Sequence, residues 1–307
     1  MGYSEESLTL RIPDLKSLPR VTDRIPFFFI DKAKIEQTRT GIEAFKVIDE
    51  EKMRIPIPFA NIASLILGPG CSITSPAMTT LYRHGTSIIQ GSADGMSGYS
   101  QGRSLTSRSD WATAQARIHV DNRLRRDAAE TLYRLRFIDP PPEGATIKKL
   151  RGIEGYIVRS AYTRLSKTHK VKDFYRNTKS EDPINIGLNL GNSILYGLAL
   201  SVCSALSLSP SLGIVHHGAN GAFLFDLADN FKLTTTIPAA FESNKEVDFI
   251  SAVSKNVRNR LHEQDTLNRM FELAVTILEP AKLAFTTEDM LFDPEGDVEG
   301  HKNWTLE

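Results

Sequence analysis

The sequence predicts an α+β chain: a small N-terminal β-rich domain over residues 1–103, a larger all-α domain over 104–280 and an acidic tail over 281–307. Three observations carry this. Short β-branched or aromatic runs recur about every ten residues in the first hundred, the spacing of a small β domain. The stretch 91–102, GSADGMSGYSQG, has the composition of a flexible connector. From residue 104 the chain runs for more than thirty residues without Gly or Pro and is rich in Ala, Leu and Arg, a helical pattern.

In order, strands are expected at 24–30 (RIPFFFI), 44–48, 54–57 and 62–67, with turn signals at Thr40-Gly41 and Gly68-Pro69-Gly70. A short helix at 75–82 and a strand at 86–90 complete the β-rich part. One long helix is expected from 104 until Asp139-Pro-Pro-Pro stops it. Further helices are expected at 147–167, 184–206, 223–230 and 245–277, the last capped near Ser243-Asn244. Residues 184–215 carry no charged side chain, a run longer than the ~20 residues that span a bilayer. It is interrupted by Asn185, Asn189, Asn192, Pro210 and six serines, which fits a buried helix followed by a turn and no membrane span.

With 307 residues and 41% hydrophobic content the chain is long and apolar enough for a sizeable core, which excludes a disordered chain. The two cysteines, Cys71 and Cys203, fit neither a disulfide framework nor a four-ligand zinc site, so a reducing, cytoplasmic setting is expected. The start MGYSEESLTL lacks the basic and apolar regions of a secretory signal, and Glu6 stands where a myristoylation motif needs Ser or Thr. No export or anchoring signal is expected.

The formal net charge is zero, 37 basic against 37 acidic residues, which argues against a nucleic-acid partner only if the charge is evenly spread. It is not. Residues 101–180 hold 18 Lys and Arg against 8 acids, a net of +10, and 281–307 hold two Lys against seven acids. Arg123, Arg125, Arg126, Arg134 and Arg136 recur along the first long helix, with Arg103 and Arg108 leading into it. Such a series is either a solvated helix face or a surface that tracks phosphates through the guanidinium fork. Charge alone does not choose between them.

Chemistry concentrates in SLGIVHHGANGAFLFDLADNFK, residues 211–232. An apolar approach delivers His216 and His217 to a Gly-rich turn. Asp226 and Asp229 follow, three residues apart and hence on one helix face, among Phe223, Phe225, Leu227 and Phe231. Buried carboxylates cost several kcal/mol unless they are paired or bind a cation. A histidine beside carboxylate oxygens suits Mn2+ or Mg2+. Glu154 in LRGIEG is the candidate third acid, although a Glu opening a helix also serves as a partner for the helix dipole.

Glu154 in LRGIEG, GIVH at 213–216 and FDLAD at 225–229, in that order, resemble the CRISPR-associated adaptation integrase, in its type I-E branch. LYG at 195–197, INIGLNLGNS at 184–193, LILGPG at 65–70 and SRSD ahead of LYRLRF extend the resemblance over roughly residues 20–280. It implies an α-helical metal-dependent catalytic domain in which Glu154, His216 and Asp229 coordinate Mg2+ or Mn2+, with Asp226 as a supporting acid. It places Arg108 on the DNA path and Tyr196 near the active site, where Tyr196 too is expected to contact DNA; Arg103, Arg123 and Arg126 are added as DNA contacts from the charge pattern. The reaction it implies is insertion of a double-stranded DNA fragment into a repeat array, the fragment's 3′-hydroxyl attacking a phosphodiester. The same site acting with water would be an endonuclease. It further implies a homodimer built on the β-rich domain and a small ferredoxin-like partner subunit. The chain departs from the pattern in three places. Ala219 stands where close relatives carry Lys, Lys32 stands where an aromatic wedge is expected, and the proline-rich tail is replaced by TTEDMLFDPEGDVEG. Two other readings are a non-enzymatic DNA-binding assembly subunit and a metal-dependent phosphodiesterase acting on RNA.

Overall fold

The computed structural model describes residues 13, 15–48, 50–92, 95–106, 108–137, 139, 141–142, 144–283, 290–291 and 298–299. The N-terminal part forms two four-stranded sheets. In the first, β1 (Ile25–Ile30), β5 (Ile62–Leu67), β7 (Ser87–Ser92) and β8 (Gly95–Ser100) lie in the order β1-β5-β7-β8. The β1–β5 and β5–β7 pairs are parallel and β7–β8 is antiparallel. In the second, β4 (Glu51–Ile57), β3 (Gly41–Ile48), β2 (Ala33–Thr38) and β6 (Ser72–Ile73) follow in the order β4-β3-β2-β6. Helix α1 (Ser75–Arg83) joins Ile35, Ile42, Ile57, Leu65 and Ile88 in a small core between the sheets.

The strand β5, IASLIL, is buried at every position, the continuous apolar run of a strand covered on both faces. Its second face, with Phe27 and Ile89, joins the main helical core. The helices are α2 (Asp110–Val120), α3 (Asn122–Arg136), α4 (Ile147–His169), α5 (Pro183–Ala205), α6 (Ala222–Ala228), α7 (Thr236–Glu242), α8 (Phe249–Glu263) and α9 (Thr266–Leu278). At the centre runs α5. Its Gly197 lets the helix backbone lie against the sheet: a Cβ there would stand 2.6 Å from Ser64 Oγ and 2.7 Å from Ile66 Cδ1. Ser201 Oγ donates to Ala63 O at 2.7 Å across the same contact. Among the described residues α5 is the one helix long and apolar enough to cross a membrane, and 83% of its apolar window is buried inside the fold. It is a core helix.

Several expectations are corrected. The segment 91–102 is no free connector: it completes β7 and forms β8, paired back onto β7. The helix expected from 104 to 137 starts at Asp110 and divides at Asp121, whose carboxylate accepts from the N–H of Arg123 and Leu124 and so caps α3. The helix expected at 245–277 begins at Phe249 with Asp248 as its cap and breaks at Asp265, which is left-handed at φ 48°. Strands β2, β6 and β8 and helix α7 had no counterpart in the expected order. Beyond Leu283 only the pairs Met290–Leu291 and Val298–Glu299 are described, joined as antiparallel β9 and β10. The rest of the acidic tail lies outside the described residues.

Candidate active site

After α5 the chain turns through residues 206–221, and side chains of α2 and α3 hold this loop by its backbone. Gln115 Nε2 donates to Ser209 O (2.8 Å) and Leu212 O (3.1 Å), and the Gln115 carbonyl accepts from Ser209 N. His119 Nδ1 bonds Gly213 O at 2.9 Å and Arg125 Nε bonds Ile214 O at 2.7 Å. A Cβ at Gly213 would collide with His216 O and Ala222, so the turn needs glycine there.

Asp226, one turn into α6, then fixes the loop's end. Its Oδ2 accepts from Ile214 N (2.5 Å) and Val215 N (3.2 Å), and its Oδ1 from His216 N (3.0 Å). His216 Nδ1 lies 2.8 Å from the same Oδ1. With Nδ1–H donating to a carboxylate, Nε2 is the nitrogen presented outward, the orientation that metal-ligating histidines use. The hydrogen bond to Asp226 raises the His216 pKa above its ordinary value, against the effect of burial.

That Nε2 faces Asp229 Oδ2 at 3.9 Å. Asp229 caps the end of α6, where Lys232 Nζ meets its Oδ1 at 2.6 Å. Burial pushes the Asp229 carboxyl up, but Lys232 and Arg136 outweigh it and hold it below the usual carboxylate range. Glu154 comes from a third element. It sits in the middle of α4 and does not open that helix, so the dipole role is corrected; its Oε1 pairs with Arg136 Nη1 at 2.8 Å. Together Leu132, Tyr133, Arg136, Glu154, Val215, His216, Asp226, Asp229 and Asn230 enclose a cavity of about 20 Å³, room for one water-sized species. Tyr133 is buried against it, and burial followed by the Glu154 charge raises its pKa.

The donor set fits a hard divalent cation: two carboxylates, an imidazole Nε2 and Asn230 Oδ1, which is buried with no hydrogen-bond partner. Among the described residues no three His, Cys, Asp or Glu side chains already stand as a coordination shell. Arg136 and Lys232 neutralise the acids instead.

The family described as CRISPR associated protein Cas1 matches residues 123–245, which contain all four of these acidic and imidazole side chains. The "CRISPR-associated endonuclease Cas1 2" of Thermus thermophilus is 34% identical over 94% of this chain and 92% of its own. The chain belongs to the Cas1 family. A second Cas1 endonuclease, from a Clostridium species, is 31% identical over 87% of this chain and 88% of its own. Among solved Cas1 structures, that of a TtCas1–DNA complex superposes with a TM-score of 0.77 at 33% identity, over 90% of this chain and 99% of that one. A casposase bound to its integration product shares the fold, with a TM-score of 0.63 at 14% identity over 83% of this chain and 91% of that one.

In this Cas1 chain the basic series divides. Arg123, Arg126 and Arg134 are exposed, Arg126 beside Glu130 at 3.1 Å, whereas Arg125 holds the His216 loop and Arg136 turns into the cavity with its side chain 7% exposed. The single-face reading of the five arginines is thereby corrected. Arg108 pairs with buried Asp110 at 3.1 Å, and Arg103 donates to Pro13 O and lines a separate hollow with Thr79, Tyr82 and Arg83. Neither lines the cavity. Tyr196 reaches the edge of the site: its hydroxyl accepts from Lys232 Nζ at 3.0 Å and its ring packs on Phe225. Ala219 is exposed in the loop after His216, and Lys32 occupies a turn at φ 45°. Lys232 and the inward role of Arg136 were missed, because in sequence they look like any other cations; the one signal was Lys232 three residues after Asp229.

Proposed function

We propose that this Cas1 chain is a metal-dependent DNA endonuclease and strand-transfer enzyme of CRISPR adaptation, of the type I-E branch, inserting double-stranded DNA fragments as new spacers into a repeat array. The observation that carries the reading is the convergence of Glu154, His216 and Asp229, from α4, a loop and α6, on one cavity, with Asp226 orienting the imidazole.

The nucleophile belongs to the substrate: a fragment's 3′-hydroxyl attacks a backbone phosphodiester and its alcohol leaving group departs. Glu154, His216 Nε2 and Asp229 would hold Mg2+ or Mn2+, which lowers the pKa of an attacking hydroxyl or water and neutralises charge on the pentacoordinate transition state. In the neutral imidazole Asp226 keeps the proton on Nδ1, so that the lone pair is on Nε2. Lys232, positioned by Tyr196 and Asp229, sets a fixed positive charge behind Asp229. Its pKa is raised: burial opposes the charge, but Asp229 and Tyr196 more than compensate, and the ammonium persists at any working pH.

The DNA path follows from charge. Tyr156, Arg159, Thr163, Arg164 and Lys167 line an open groove on α4, the helix that carries Glu154. Arg103, Arg108, Arg123 and Arg126 extend the basic surface over the elements before it. We assign dimerisation and contact with the small ferredoxin-like partner to the β-rich part, where edge strand β4 and its neighbour expose Met53 and Val47. The compartment is the cytoplasm, in keeping with two free thiols.

Glu154→Ala and His216→Ala are expected to abolish strand transfer, measured with labelled oligonucleotides, while duplex binding in a gel-shift assay stays within about threefold of wild type because the phosphate contacts lie elsewhere. Full transfer by either variant would overturn the assignment of these residues, and a wild type that transfers no strand with either metal would leave only a DNA-binding, non-enzymatic role.

A further inference from the structure

Arg136 closes α3 with its guanidinium inside the cavity. One nitrogen, Nη1, serves both acids, 2.8 Å from Glu154 Oε1 and 3.7 Å from Asp229 Oδ2. Its Nε is buried with no partner. Arginine usually closes on one carboxylate as a two-pronged fork. Here the fork is split: one prong is shared between acids from different helices and another donor is left unpaired. Lys232 relieves only the Asp229 side of the pair, through Oδ1. Without Arg136, Glu154 would face Asp229 across a small cavity with no cation of its own, an arrangement that disfavours keeping both acids ionised and buried.

Resting on the metal-ligand reading above, we propose that Arg136 is the resident counter-cation of the metal seat: it holds Glu154 and Asp229 together in the metal-free chain and withdraws from them when a divalent cation binds. Ligation by both carboxylates claims the oxygens that Nη1 now engages, and a guanidinium left there would sit against a doubly positive ion in a poorly screened site. Withdrawal has a destination. Nη1, once released, forms with Nη2 the end-on fork that suits a phosphate, and Nε, already unpaired, is a further donor. The charges point the same way. Three acids, Glu154, Asp226 and Asp229, face two cations in the metal-free seat; with His216 neutral, a bound divalent ion leaves one positive charge in excess, which a DNA phosphate cancels. Arg136 is thus a positioning residue that sets the cost of metal loading and couples loading to phosphate binding.

The test is an Mn2+ titration of the full chain by calorimetry without DNA, comparing wild type with Arg136→Gln, Arg136→Lys and Arg151→Gln. Arg151 is exposed on α4 one turn before Glu154 and controls for charge acting through space. Arg136→Gln is expected to bind Mn2+ about tenfold tighter or more, because no charge-assisted hydrogen bond has to be broken. Arg136→Lys and Arg151→Gln should stay within about threefold, the scale of a retained or exposed charge. Without metal, Arg136→Gln should melt below wild type and gain more in Tm on saturation with Mn2+. If Arg136→Gln does not fold, a crystal structure of the Mn2+-loaded wild type decides, with Nη1 withdrawn beyond about 4 Å of both carboxylates, the usual limit of an ion pair. An unchanged or weaker Mn2+ affinity in Arg136→Gln, or an Nη1 that still bridges the acids beside bound Mn2+, would overturn the proposal. A wild type that binds no Mn2+ at all overturns the metal reading itself, and this proposal with it.

Discussion

Two carboxylate oxygens on Asp226 serve four donors: the backbone N–H groups of Ile214, Val215 and His216, and the His216 ring. Asp226→Asn keeps the shape but replaces one acceptor by a donor. It is expected to cost about 1–3 kcal/mol in denaturant unfolding, the cost of leaving buried donors unpaired, and to slow strand transfer by misplacing His216. The same contact has a pH signature in the metal-free chain. The folded pKa of His216 is raised by Asp226, so its contribution to stability is complete below the unfolded value of about 6.5 and disappears as the pH rises through the folded value. Denaturation midpoints measured across that interval should fall with rising pH, and His216→Gln should flatten this part of the profile. An unchanged slope in the variant would show that His216 is not the titrating group. These roles were half visible in the sequence. His216, Asp226, Asp229 and Glu154 stand out because carboxylates and imidazole in apolar surroundings demand partners. Arg136 and Lys232 do not, because a cation that turns inward differs from a solvated one only once the helices are packed.

At the level of elements, α5 holds the site in register with the sheet. Gly197 presses on Ser64, Ile66 and Ile89, and Tyr196 beside it reaches Lys232. Gly197→Leu is expected to destabilise the fold by roughly 1–3 kcal/mol or more, the range for overpacking a core, read as a lower denaturant midpoint; wild-type stability in the variant would show that the helix–sheet contact is not close. Strands β1 and β5 and helix α5 were legible because their apolar runs have the length and β-branched or uninterrupted character of buried elements. The strand β8 was not: GMSGYS has low β propensity, and pairing with β7 overrides it. The break between α2 and α3 carries no Gly or Pro, and only the Asp121 cap marks it. In α7, TIPAAFE, a proline inside the segment hides a helix that is held by burial of Ile237, Ala240 and Phe241.

For the whole molecule, a net charge of zero hides a division of labour. A block of +10 over 101–180 supplies exposed arginines, a groove on α4 and Arg136, turned towards the acids from α3, while Lys232 joins it from beyond α6 and acids elsewhere balance the sum. Ile214 of the loop and Phe223, Leu224 and Leu227 of α6 lie in the main core with α5, and Ile153 and Ile157 of α4 pack with Tyr133 and Val215, so packing brings the three elements that bear Glu154, His216 and Asp229 together. The central claim is that this arrangement carries out divalent-dependent DNA strand transfer. It is tested most directly by single-turnover transfer of a 3′-hydroxyl DNA fragment into a repeat-bearing duplex, with purified chain alone and with the small ferredoxin-like subunit proposed as its partner, titrated with Mn2+ or Mg2+ against EDTA. Joined product that rises with the metal and vanishes in EDTA is the predicted result. Product formed equally well in EDTA would contradict the account.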